Sequence, residues 1–539
     1  MLIPRKLLMI ASASLGLLAA SHLVTTPDAD AFCGTFVAGG NVDLYNDATQ
    51  VALMRQGTKT VLSMQNNYKG PVKDFAMVVP VPVVLMEEQV KVLSPELFKK
   101  MDQLSAPRLV EYWESDPCQP PYQYDDAAGG WADMGSASWD MGGTGEEPPP
   151  VVIEAEFEVG EYDVVVLSAS QGAALESWLT ENNYAIPAGA SPIFQQYIQN
   201  DMYFFVAKID PAKVTFDQGE AVLSPLRFAY DSPQFSLPVR LGMINSSGEQ
   251  DLIIYILSQD GRYELANYPN ALIPTNKIVS TDTASNFGEF YSLLFEDTLA
   301  KNPGAVVTEY GWDASWCDPC PGEALSAEDF ATLGADEFGP LTGASPYAYG
   351  WTMTRLHARY GTDDISEDLV FKAAPAIRGG RGTPDAEGKI DDAVGPASYT
   401  SEFQGRYIML HWWDEPFECE NPERGVWGYG SSSLGAAVSP NSGGVSKPAG
   451  SFSLDDFIPA KPFAPGEEGK TPGGGSNEEP AGGGAVGGEP EEVSGGGCQV
   501  TRAGKGATKT GSPWELLLGV SSLAGLLARR RRRRLTRRG

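Results

Sequence analysis

Between residues 151 and 160 the chain alternates: Ile153, Ala155, Phe157 and Val159 are apolar, and Glu154, Glu156 and Glu158 stand between them. A period of two belongs to a strand with one buried and one solvated face. Shorter runs rich in β-branched and aromatic residues lie at 51–54, 60–64, 75–79, 163–168, 202–209, 252–257, 306–310 and 406–410. Turn-forming residues separate them, and they predict further strands. Helical signals are fewer. Ser94-Pro95-Glu96 combines a capping hydroxyl with a first-turn proline. Leu175, Trp178 and Leu179 share one face of a second helix, and Phe287, Tyr291 and Leu294 one face of a third. The order of elements predicts a strand-dominated, mixed α+β fold.

Two stretches break the pattern. Residues 119–150 hold few aliphatic side chains and read as a disordered surface insertion in a folded region spanning 32–429. Residues 430–497 are rich in Gly, Ser, Pro and Glu, which predicts a flexible, self-repelling stalk.

Both ends carry addresses. Arg5 and Lys6 precede a short apolar run, and Ala29 and Ala31 supply the small residues a signal peptidase needs to cut before Phe32. Residues 1–31 are therefore expected to be a removable secretory signal. At the other end, 514–528 is apolar apart from Glu515 and is followed at once by eight arginines between 529 and 538. Such a cluster stays cytoplasmic, which places the preceding chain outside. The apolar segment is shorter than the roughly 20 residues of a stable span, as suits a substrate of a processing enzyme.

Loss of both ends would remove thirteen basic and three acidic residues, taking the formal charge from −31 to −41. A surface so acidic repels phosphate backbones, so nucleic acid is not an expected partner.

Gly495-Gly496-Gly497-Cys498, a polar spacer, the apolar segment and the arginine cluster together resemble the myxobacterial C-terminal sorting tail (MYXO-CTERM) over residues 495–539. The resemblance implies cleavage by a sorting protease near Cys498, with that cysteine carrying the membrane anchor. The folded region resembles a second family, catalogued only as domain of unknown function 2330. The residues that carry this likeness are 73–82, Val159-Gly160-Glu161-Tyr162-Asp163, Leu237-Pro238-Val239-Arg240-Leu241-Gly242, Trp316-Cys317-Asp318-Pro319-Cys320 and Phe403-Gln404-Gly405-Arg406-Tyr407. That family implies a fold unit and no chemistry.

Six cysteines suit an oxidising compartment. Cys33, Cys118, Cys317, Cys320 and Cys419 fall in the folded region as disulfide candidates, an odd number that leaves one over. Cys317-Asp318-Pro319-Cys320 has the spacing of a redox motif, yet no βαβ context surrounds it, and a structural staple is the expectation. Cys317, Cys320, Cys419 and His411 could make a zinc site on paper, but no second CxxC or CxxH supports one. No EF-hand loop, nucleophile elbow or P-loop is present, and no cofactor is expected. The basic, glycine-rich loop at Arg378-Gly379-Gly380-Arg381-Gly382 fits a surface loop or an anion contact. His411-Trp412-Trp413 and Trp312 with Trp316 fit either core packing or a platform for sugar rings or a protein partner.

These readings point to an exported protein anchored at the cell surface through its C-terminus. Its expected role is non-enzymatic, binding an envelope polysaccharide or a protein. The alternative is an envelope enzyme, either a thiol–disulfide oxidoreductase or a hydrolase.

Overall fold

The computed structural model describes residues 35–38, 45–69, 75–118, 151–182, 184, 189–217, 220–245, 249–317, 322–338, 350–361, 364–397, 399–429, 450 and 452–458. All of them belong to one compact unit. The expected signal with Ala29, Ala31 and Phe32, the insertion at 119–150, most of the stalk and the tail with Cys498 lie outside the described residues, as do Cys33 and Cys320.

The principal strands in chain order are β1 (Tyr45–Gln56), β2 (Lys59–Lys69), β3 (Phe75–Val81), β4 (Arg108–Glu114), β5 (Val151–Val159) and β6 (Tyr162–Ala169). They continue with β7 (Tyr203–Ile209), β8 (Leu226–Asp231), β9 (Gln250–Ser258), β10 (Val306–Asp313), β11 (Thr352–Tyr360) and β12 (Arg406–His411). The helices are α1 (Pro95–Ser105), α2 (Gly172–Glu181), α3 (Ala190–Gln199), α4 (Phe287–Lys301), α5 (Ala327–Leu333) and α6 (Leu454–Phe457).

Two sheets stack face to face. The larger runs β10-β11-β9-β1-β2-β8 through its centre, with β9 and β1 parallel and the other neighbours antiparallel. The smaller is antiparallel, with Thr35–Ala38 followed by β3, β7, β6 and β5. Between them lies the main core, where Leu53, Leu62, Phe228 and Ile254 of the large sheet meet Val79, Val166 and Phe205 of the small one. The outer face of the small sheet is covered by α2 and α3 through Leu175, Leu179 and Phe194. The outer face of the large one is covered by α1 and α5 through Phe98, Met101 and Phe330. The result is four layers, helices on two sheets on helices. Strands buried on both faces read as continuous apolar runs, and β9 is accordingly buried at every position. The α+β expectation and its strand dominance agree with this architecture.

Local signals account for several element ends. Ser94 accepts a hydrogen bond from the Glu96 amide at 3.3 Å, with Pro95 in the first turn of α1. Gly160 turns β5 into β6 at φ +57°, and a Cβ there would lie 2.8 Å from Val92; only glycine fits both constraints.

Two details depart from the sequence reading. The β5–β6 register shifts between Ile153 and Ala155, so Ile153 is half exposed while Ala155, Phe157 and Val159 pack inward. A bulge resets the side-chain alternation that the apolar pattern assumes. Within the expected stalk, residues 452–458 are ordered. Phe457 is buried beside Phe290 of α4, and the Ser280 amide donates to its carbonyl at 2.8 Å. A seven-residue apolar motif is averaged away in a window dominated by glycine.

A four-stranded sheet carries β12 and β4 side by side in parallel, flanked by Lys277–Ile278 and Trp427–Tyr429. Val110, Tyr112, Ile408 and Leu410 fill one of its faces. The other face starts in a core with α4, through Leu109, Tyr407 and Met409, and by strand alternation ends at Trp113 and His411.

Candidate functional site

Trp113 and His411 are register partners across the parallel pair β4–β12. Their rings stack with centroids 3.9 Å apart and planes 10° from parallel. Trp113 is nevertheless 44 % exposed, so the indole is held on one face and open on the other. Nε2 of His411 is buried, has no hydrogen-bond partner among the described residues and lies 3.9 Å from the Glu111 carboxylate. Burial lowers the His411 pKa against the opposing pull of Glu111, leaving the ring neutral near pH 7.

The segment after β12 is tied down from the opposite strand face. Glu114 accepts from Arg424 Nε at 2.6 Å and Nη2 at 2.7 Å, from the Gly425 amide at 2.7 Å and from the Trp413 amide at 2.9 Å. Arg424 lies over the rings of Phe417 and Trp412, and Phe417 is itself 46 % exposed. The Cys118–Cys419 disulfide joins the end of β4's extension to the same segment across a separation of 301 residues. A rigid, partly open aromatic surface results, with the Glu111 carboxylate beside it and Nε2 of His411 buried.

A second constellation is buried. Arg355, His357 and Arg359 share one face of β11. Arg355 donates to Asp102 at 2.5 Å and Glu309 at 2.6 Å. His357 bridges Glu309 through Nδ1 at 2.7 Å and Asp251 through Nε2 at 3.2 Å. Arg359 holds Asp251 through two 2.8 Å bonds and also pairs with Glu296. Glu309 reaches this row because the β10–β11 register shifts between Thr308 and Tyr310, a bulge that re-aims its side chain. Tyr291 of α4 donates to Glu309, and Phe295 stacks on His357 at 4.0 Å.

Three cations thus face three buried carboxylates. Burial pushes the Glu309 carboxyl up, but His357 and Arg355 outweigh it and hold its pKa at about 2. The His357 ring is driven down by burial and up, with greater effect, by Glu309 and Asp251. Both ring nitrogens face carboxylates and the residue is 1 % exposed, so it has no lone pair to offer a substrate. This row serves the fold.

The remaining sequence candidates divide. Cys317 is disulfide-bonded and 7 % exposed, a state that a staple and an oxidised redox pair share. Cys419 is committed to Cys118, so it is not a thiolate for the zinc set drawn from the sequence, and among the described residues no cluster of His, Cys, Asp and Glu could hold a metal. Trp312 is buried and Trp316 half exposed, with Arg381 lying 4.4 Å over the Trp312 ring. Trp412 is buried, edge-on to Trp427 at 4.6 Å. Of His411-Trp412-Trp413, only His411 enters the open stack. Its partner Trp113 was not singled out from sequence, although Leu109, Glu111 and Trp113 alternate with Val110 and Tyr112 in a way that marks a strand face.

The chain matches the model of a bacterial family, domain of unknown function 2330, described as an uncharacterized protein conserved in bacteria, over residues 27–372. It belongs to that family. No curated protein and no solved structure matches it.

Proposed function

We propose that this member of an uncharacterized bacterial family is an exported protein, anchored at the cell surface through its processed tail, that binds envelope polysaccharide without acting on it chemically. The observation that carries the reading is the Trp113–His411 stack. An indole fixed on one face loses little side-chain freedom when a sugar ring packs on the other, which favours binding. The Glu111 carboxylate offers an acceptor for hydroxyl groups beside that platform. The disulfide between Cys118 and Cys419 supports an oxidising compartment. The signal-like start and the arginine-terminated tail support the address.

Co-sedimentation of the full chain with insoluble cell-envelope polysaccharide tests the proposal. The expected result is retention of the wild type and release of Trp113→Ala at equal thermal stability. Equal retention of both proteins would overturn it, and retention only by material stripped of sugar would indicate a protein partner instead.

A further inference from the structure

A cleft of about 670 Å³ opens between the C-terminal end of α3 and residues 232–240, a volume within the range of small-ligand sites. Pro80, Pro82, Pro233, Pro238 and Tyr230 supply stiff, apolar portions of a lining that is otherwise mostly polar. The cleft also contains one arginine and three carboxylates, and their pairing decides its charge.

Arg240 is fully engaged. It donates to Asp368 Oδ1 through Nε and to Oδ2 through Nη2, each at 3.2 Å, and it lies 4.8 Å over the Tyr197 ring. Asp368 additionally accepts from the Tyr197 hydroxyl at 2.7 Å and the Val239 amide at 3.0 Å. These two charges cancel.

Asp201 and Glu367 remain. The Asp201 side chain makes no hydrogen bond or ion pair among the described residues, and that of Glu367 meets only the Asn267 amide, at a long 3.5 Å. Asp201 also sits in an unexpected place. The amide of Asp201 donates to the Ile198 carbonyl and that of Met202 to the Tyr197 carbonyl, both at 3.0 Å. This is the paired closure of a helix whose next residue turns left-handed, a position that glycine fills most readily. Here an aspartate holds φ +56° and brings a carboxylate to the cleft. The carbonyl end of α3 adds partial negative charge on the same side.

We propose that the cleft binds an aliphatic ammonium group, with Asp201 and Glu367 as its counter-charges and the proline and tyrosine walls against its apolar stem. The site is separate from the Trp113 surface and stands or falls independently of it. A free diamine and a lysine side chain of a peptide both present this chemistry.

Calorimetric titration of the full chain with 1,5-diaminopentane at low salt tests the assignment, with pentane-1,5-diol and glutarate as neutral and anionic counterparts of the same length. The diamine is expected to bind saturably and the other two not at all. Asp201→Gly removes the carboxylate while relieving the left-handed strain, so its melting temperature should hold or rise as affinity falls about two- to fivefold, the range of a single partly exposed ion pair. Glu367→Gln should weaken binding similarly. Tighter binding of Nα-acetyl-lysine amide than of the diamine would identify a peptide as the source. Unchanged affinity in Asp201→Gly, or equal binding of the diol, would overturn the proposal.

Discussion

Nδ1 of His357 sits 2.7 Å from Glu309, in a place the glutamate reaches only because β10 bulges at that residue. The pair links Arg355 and Asp102 on one side to Asp251 and Arg359 on the other, so that the large sheet's outer face is held by charge as well as by apolar packing.

This row makes stability depend on pH in a defined direction. The folded pKa of His357 is raised above its ordinary 6.5: burial opposes the charge, and Glu309 and Asp251 outweigh burial. Its stabilisation is therefore complete below 6.5 and is lost as pH rises through the folded value. Glu309 works the other way. Its contribution is complete above the ordinary 4.5 and is lost as pH falls towards about 2. Denaturant unfolding is expected to show greatest stability between these limits and a decline on the alkaline side. His357→Gln should abolish that decline and cost ~3–5 kcal/mol near pH 6, because it leaves two buried carboxylates facing a neutral group. An alkaline decline of equal size in both proteins would refute the assignment.

Cys118 and Cys419 close a loop whose ends are 301 residues apart. Loop-closure entropy gives the bond an effect on the order of 5 kcal/mol at most. Cys118→Ser with Cys419→Ser should lower the unfolding midpoint accordingly, and reductant should lower the wild type but leave the double variant less affected. Identical midpoints for the oxidised wild type and the double variant would show that this bond contributes nothing.

The glycine-rich loop at 378–382 acts through packing. Gly380 has φ +80°, and a Cβ there would lie 2.0 Å from the Gln404 carbonyl oxygen. Gly380→Ala should cost roughly 2 kcal/mol or more, as strain and overpacking combine, and thermal melts will read it. A melt like that of the wild type would mean that the loop is free to move.

Processing of the ends is checked by mass. On the proposed processing, the mature form recovered from cells should weigh as Phe32 to about Cys498 plus a lipid-sized adduct. A mass that retains the terminal arginines would make the tail an ordinary anchor and remove the sorting assignment.

Much of the fold was legible because buried strands announce themselves. The run at 252–257 is apolar throughout and lies in β9, and Ser94-Pro95 opens α1 as its residues dictate. The charged row was not legible. Arg355-Leu356-His357-Ala358-Arg359 reads as a strand with one solvated face, and only the placement of α1 and α4 above it turns that face inward. Asp201 was hidden for a different reason: an aspartate after a helix is unremarked until its backbone is seen to be left-handed. Trp113 was visible as an aromatic residue but not as an exposed one, since exposure depends on where the covering helix ends.

The most direct test is a fluorescence titration of the full chain with soluble fragments of envelope polysaccharide. Saturable change in the wild type, weakened at least about tenfold in Trp113→Ala as expected for loss of an aromatic anchor, is the predicted result. Saturable binding of the same strength in Trp113→Ala would contradict a sugar-binding role for the Trp113–His411 surface.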